Sequence, residues 1–200
     1  MRYLLVGLLL LAGCSPTQVP TDSPSAVAPS GVTTTPTPEP TPTCSPIGGT
    51  PSPCSADEYA KVEAQNKLVN EAIAVYRRWT KENSRLYRVG GTRNITPEME
   101  VTTAGEFRKS ALLTFSDIKA AGIRAVSGDI KIVSIGPDLG VEDVTGQAAI
   151  VACLDGRSMR LEQRGRAFRA GVTFVEHVVA KTIDGDMKLW AVRSSEVKSC

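Results

Sequence analysis

The spacing of apolar positions changes once along the chain. Between residues 55 and 121 they recur every three or four positions; from residue 123 onward they alternate. The first regime opens at Ser55-Ala56-Asp57-Glu58, a capping box in which Ser55 accepts from the third helical amide and Glu58 reaches back to the Ser55 amide. It predicts a long amphipathic helix. Val62, Val69, Ile73 and Tyr76 form the apolar stripe, Leu68, Ala72, Val75 and Trp79 widen it, and Lys61, Lys67, Glu71, Arg78 and Lys81 take the opposite side. The helix is expected to end near residues 83–86, before Gly90-Gly91. Thr96-Pro97-Glu98 reads as a cap followed by Pro at the first helical position and predicts a second helix of a turn or two. Residues 106–121 predict a third, with Phe107, Ala111, Leu112, Phe115 and Ile118 on one side and Gly122 as its stop.

The second regime predicts strands. Residues 123–135 alternate β-branched positions and close at Gly136-Pro137. Residues 144–154 follow, with Ala148, Ile150, Ala152 and Leu154 on one face and Cys153 on the other. Residues 171–183 form a long strand ending at Asp184-Gly185, a hairpin signal. The last strand covers 188–195, with Leu189 and Ala191 opposed to Trp190 and Val192. Residues 157–169 are too rich in arginine for a central strand and are expected at an edge or as an arm. Helices first and hairpin-linked strands afterwards predict α+β: three helices packed on one curved antiparallel sheet.

Composition changes the picture at the N-terminus. Of 13 prolines, 11 fall before residue 57. Such a Pro/Thr/Ser-rich stretch builds no packed core and favours extended polyproline segments, ~3.1 Å per residue. It reads as a tether over residues 14–56 that holds residues 57–200, the folded domain, away from a surface. Before it, Arg2, an apolar run from Leu4 to Leu11 and small residues form a signal-peptide pattern over residues 1–13. The run is too short to span a bilayer, which takes roughly 20 residues.

The charge is close to balanced, with 23 basic and 21 acidic residues, which excludes a strongly cationic nucleic-acid binder. Five cysteines form an odd set. Cys44, Cys54, Cys153 and Cys200 allow three pairings; Cys44–Cys54 with Cys153–Cys200 is favoured, the first closing a turn-rich loop and the second stapling the C-terminus to a strand. No close Cys pair suits zinc and His177 is the single histidine, so no metal and no cofactor are expected.

Leu11-Ala12-Gly13-Cys14 resembles the lipobox of bacterial lipoproteins. The resemblance implies cleavage before Cys14 and a diacylglyceryl group on its sulfur. Two acyl chains, at about 0.8 kcal/mol per buried CH₂, anchor a protein stably, so an outer-face, lipid-anchored location on the cell membrane is expected. The Thr/Pro tract resembles the glycosylated stalks of exported actinobacterial proteins. The order of elements resembles the NTF2-like (SnoaL-like) cone fold. Tyr76-Arg77-Arg78-Trp79, Ala152-Cys153-Leu154-Asp155-Gly156 and the ending from Asp184 to Cys200 recur in exported actinobacterial lipoproteins with such a domain. That resemblance implies a cone whose mouth takes a ligand. Enzymes of the class use a pocket carboxylate with Tyr or protonated Asp donors, but here tyrosines occur only at 3, 59, 76 and 87, none of them in the strand half.

Candidate chemistry is sparse. Asp129, Asp138, Asp143, Asp155, Asp184 and Asp186 sit beside glycine or in expected turns, and His177 lies mid-strand with Glu176 on the opposite face. No catalytic residue is assigned. Arg157, Arg160, Arg164, Arg166 and Arg169 form a cluster that suits anionic headgroups, wall polymers or an acidic protein. Trp79, Met99, Phe107, Phe115 and Phe174 are the candidate pocket walls. The expected function is a non-enzymatic binding module for a small hydrophobic ligand or an envelope partner. The alternatives are a small hydrolase or isomerase using His177 or a buried carboxylate, and a prophage-type surface lipoprotein that interferes with infection.

Overall fold

Ser55 caps the first helix as its sequence requires: its hydroxyl accepts from the Glu58 amide and the Glu58 carboxylate accepts from the Ser55 amide at 2.8 Å. From there α1 runs over Ala56–Val89 and is closed by Gly90 in the left-handed conformation. A computed structural model describes residues 40–140 and 147–200 of the chain. The leader, Cys14, most of the expected tether and Asp143 lie outside the described residues.

Ahead of α1, β1 (Thr43–Cys44) and β2 (Ser52–Pro53) form a small hairpin closed by the Cys44–Cys54 disulfide. It is docked rather than free. The Asn66 side-chain amide on α1 donates to the Ser45 carbonyl and accepts from the Ile47 amide, both at 2.9 Å. After α1 come α2 (Pro97–Thr102), with Thr96 as cap and Pro97 at its start, and α3 (Gly105–Ala121), stopped by left-handed Gly122. Seven strands follow: β3 (Ile123–Ser127), β4 (Lys131–Pro137), β5 (Gln147–Asp155), β6 (Arg160–Gln163), β7 (Arg166–Ala170), β8 (Thr173–Ile183) and β9 (Asp186–Val197).

The expectation of three helices on one curved α+β sheet, the NTF2-like cone, is overturned. The described strands divide into three sheets: the β1–β2 hairpin, a three-stranded sheet ordered β3-β6-β7 and a four-stranded sheet ordered β4-β5-β8-β9. The long helix α1 is the element that packs across them, against β3 of one and β4, β5 and β9 of the other. The shorter helices do not complete a three-membered layer; α2 and α3 lie along β9, the edge of the four-stranded sheet.

The split begins within residues 123–135, expected as one strand. Gly128 has φ 74, and a Cβ there would lie 2.1 Å from the Ser158 carbonyl. Only glycine makes that turn at that distance. The chain leaves the small sheet at Ser127 and enters the large one at Lys131. A second correction lies on β9. Leu189 pairs with Ala180 and Val192 pairs with Val178, and β8 residues two apart share a face. Leu189 and Val192 are therefore on the same face, not opposed, because a β-bulge beside Trp190 inserts one residue. A bulge on β4 likewise puts Ile132 and Ile135 on one face, opposite Leu154 and Ala152.

The core lies between α1 and the large sheet. Val69, Ala72, Tyr76, Trp79 and Leu86 face Ala148, Ile150, Ala152, Leu154, Val178 and Leu189, all buried. The C-terminal tail returns to this sheet through the Cys153–Cys200 disulfide, which ties β5 to the segment after β9 although β8 runs between them. At the far end of α1, Gly91 has φ 79, and a Cβ would sit 2.2 Å from the Phe115 carbonyl. Glycine there lets α3 close on the helix end, and Thr92 donates to the same carbonyl at 3.1 Å.

Candidate functional site

Four elements bring side chains to one cavity of about 350 Å³. From α1 come Trp79, Asn83 and Tyr87, spaced by four and so on one helical face; from α3 come Phe107, Ala111 and Phe115 with the same spacing. Strand β8 supplies Phe174 and Glu176, and β9 supplies Val192, Ser194 and Glu196, at the period-two spacing that keeps strand residues on one face. Phe174 pairs with Glu196 and Glu176 with Ser194 across the ladder, so both carboxylates project from the same side of the sheet.

The walls are aromatic. Trp79 and Phe107 meet edge to face with centroids 5.3 Å apart, and Tyr87 meets Phe115 at 5.5 Å. Edge-to-face pairs of this kind add about 0.5–1.5 kcal/mol beyond burial. Five of the ten aromatic residues in the chain line this one space.

The polar groups are few and placed. Glu176 is partly buried, and the Tyr76 hydroxyl, itself buried within the core, donates to its Oε2 at 2.6 Å. Burial pushes the Glu176 carboxyl above its ordinary range, and the Tyr76 hydrogen bond only partly offsets this. The same burial, with the adjacent carboxylate, pushes the Tyr76 hydroxyl far up, so it stays a donor. Burial also raises the Tyr87 hydroxyl, against a counteracting Arg169. Asn83 contributes a buried Oδ1 without a hydrogen-bond partner.

Of the five expected pocket residues, Trp79, Phe107, Phe115 and Phe174 line this cavity. Met99 does not: it is fully buried on α2 and serves as core. Sequence reasoning placed Glu176 only as the residue facing away from His177, and sought a tyrosine donor among the strands; the donor comes from α1. Asn83 and Tyr87 were missed, although they extend the Trp79 face at intervals of four.

His177 lies on the other side of the sheet. Its Nδ1 meets Asp138 Oδ2 at 2.6 Å, and the ring is about half exposed. It is not brought to the aromatic cavity. Among the other aspartates, Asp129 pairs with Arg88, and Asp184 takes a positive φ of 53 in the β8–β9 turn. Asp155 accepts two hydrogen bonds from the Arg157 side chain and one from its amide, which hold its carboxyl down at about 2.

The five arginines do not form one patch. Arg157 is engaged by Asp155, and Arg160 donates to the Arg157 carbonyl. Arg164 occupies the β6–β7 turn at φ 50. Arg166 and Arg169 pair with Gln163 and Leu161, one ladder position out of step with Arg160, and so project from the other face.

A second cavity, of about 370 Å³, lies where the docked hairpin meets α1 and the β4–β5 end, between Ile47, Val62, Val69, Pro137 and Ala149. Its lining is mostly aliphatic, and its one largely buried carboxylate, Asp138, is engaged by His177.

The two disulfides point to an extracellular or envelope location. Among the described residues, no helix is long and apolar enough to cross a membrane. No family model and no curated protein matches the chain. Among solved structures, it is similar to the intermembrane-space region of the chloroplast protein ARC6, at 12% identity and a TM-score of 0.44, over 66% of this chain and 97% of that one. A likeness at that level carries no argument about fold or function.

Proposed function

We propose that this chain is a lipid-anchored extracytoplasmic binding protein, with Cys14 as the anchor and the cavity between α1, α3, β8 and β9 as the site for a small, largely apolar ligand. The supporting observation is convergence: half of the chain's aromatic residues surround one cavity that also presents Glu176 and Asn83. Small-molecule sites are typically concave and mostly apolar, with a few oriented polar groups. The Pro/Thr-rich segment after Leu11-Ala12-Gly13-Cys14 supplies distance from the membrane.

Mass spectrometry of the protein extracted from its native membrane tests both parts. The expected spectrum shows an acyl mass on Cys14 and, under native conditions, a co-purified small molecule that Trp79→Ala removes. A Cys14→Ser chain that stays with the membrane fraction after a high-salt wash overturns the anchor.

A second reading rests on the Tyr76–Glu176 pair. A carboxyl raised by burial and held by a phenol is suited to proton abstraction from a bound carbon or oxygen acid. The two readings separate on Glu176→Gln: turnover of a bound molecule is lost if Glu176 acts as a base, whereas a binding module retains its apolar ligand.

A further inference from the structure

The lining of the aromatic cavity has a definite electrostatic sign. Two carboxylates face it, Glu176 inside and Glu196 on an exposed position, and none of its lining residues is basic. Glu176 Oε2 is engaged by Tyr76, which leaves Oε1 for another donor. Asn83 adds an Oδ1 that accepts nothing within the protein. The aromatic faces add negative potential of their own, since each ring's quadrupole attracts cations within about 6 Å of its centroid. An anionic ligand would meet two like charges here, and Arg169, which acts on Tyr87 from outside, is not among the lining residues. A ligand with neither a positive charge nor a donor would leave Glu176 Oε1 and Asn83 Oδ1 without partners, a cost that polar groups in an apolar site do not recover.

Resting on the binding reading above, we propose that the ligand of this cavity is an organic cation: an ammonium or quaternary ammonium group on a small apolar body, its charge against Glu176 and its body among Trp79, Tyr87, Phe107 and Phe115. Glu176 supplies the counter-charge, the rings supply desolvated contact, and Glu196 draws the cation toward the cavity.

Choline and its uncharged isostere 3,3-dimethylbutan-1-ol test this directly, because they share size and shape and both are water-soluble. Calorimetric titration of the full chain in lipid nanodiscs is expected to show choline binding roughly tenfold tighter than the alcohol. Glu176→Gln keeps an acceptor for Tyr76 and is expected to erase that preference while leaving the alcohol within about twofold of its original affinity. Glu196→Gln, at an exposed position, gives the same trend more weakly and stands in if the Glu176 variant does not fold. Equal binding of the two compounds, or tighter binding of the alcohol, overturns the cation and leaves the pocket standing. Binding of neither compound, with Trp79→Ala indistinguishable from the parent, overturns the pocket itself.

Discussion

Residues 176 and 177 are neighbours on β8 and face opposite sides of one sheet. Each makes a side-chain hydrogen bond of 2.6 Å, Glu176 with Tyr76 and His177 with Asp138. The geometry is alike and the surroundings are not. The inner pair lies against aromatic rings and the core, where burial raises the carboxyl and the phenol. The outer pair joins a half-exposed imidazole to an Asp138 side chain that is only 10% exposed. A short contact on a strand therefore says little until the medium on that side of the sheet is known: the inner pair lies among aromatic rings, the outer pair beside Val179, Ala191 and Arg193.

Three substitutions can break that contrast. Trp79→Ala removes a buried ring that touches both Phe107 and Phe115. It is expected to cost about 3–5 kcal/mol in urea unfolding and to abolish ligand retention. Tyr76→Phe removes the hydroxyl that serves Glu176 and leaves a partly buried carboxyl without its donor. A loss of about 1–3 kcal/mol is expected, from the same measurement. Asp138→Asn, its counterpart on the outer side, keeps an oxygen acceptor for the half-exposed imidazole and is expected to cost less than Tyr76→Phe. A cost equal to that of Tyr76→Phe would erase the distinction between the two faces.

Glu176→Gln sharpens the comparison through pH. A carboxyl whose folded pKa lies above its ordinary 4.5 stays protonated longer in the folded chain. Its contribution to stability is fully present below pH 4.5 and is lost as pH rises through the higher folded value. The variant, which cannot ionise, is expected to match the parent below pH 4.5 and to become the more stable of the two above it. Thermal melts between pH 4 and 8 measure the gap, and a gap that narrows with rising pH contradicts the raised carboxyl.

A third acid shows that proximity to the core alone does not set the direction. Glu82 is also buried, and burial works to raise it, but bonds from Arg85 at 2.6 and 2.7 Å and from the Thr96 hydroxyl at 2.7 Å outweigh that and lower it. Thr96 caps α2 at the same time, so this acid fastens α1 to α2. Glu176, with one neutral donor, lacks such compensation. The difference lies in the number and charge of the donors, since burial works to raise both acids.

The helices were legible because their signals are local. Ser55 and Glu58, Thr96 and Pro97, and Gly122 each act within a few residues of the end they define. The stripe from Val69 to Trp79 needs only a period of 3.6. The candidate walls Trp79, Phe107, Phe115 and Phe174 were legible as large apolar residues on the expected faces, but their convergence was not. Met99 met the same criterion and is core. Glu176 and Asn83 were illegible as site residues, since a polar residue on a strand or a helix end ordinarily faces water. The hairpin was read as the end of a tether. The Asn66 amide that docks it lies more than twelve residues away, and no periodicity reports such a bond.

By itself, the sequence determined where α1 and α2 begin and that Gly122 stops α3, which residues of β5 face the core, and which cysteines suit short and long loops; α1 runs on past the expected 83–86 to Val89, where Gly90 caps it. Tertiary structure alone decided which strands share a sheet. Gly128 sends β3 and β4 to different sheets, and bulges on β4 and β9 each turn an odd spacing into a shared face. Helix signals are settled by hydrogen bonds within four residues, whereas strand pairing is settled between segments far apart in the chain. One inserted residue there reverses every face beyond it.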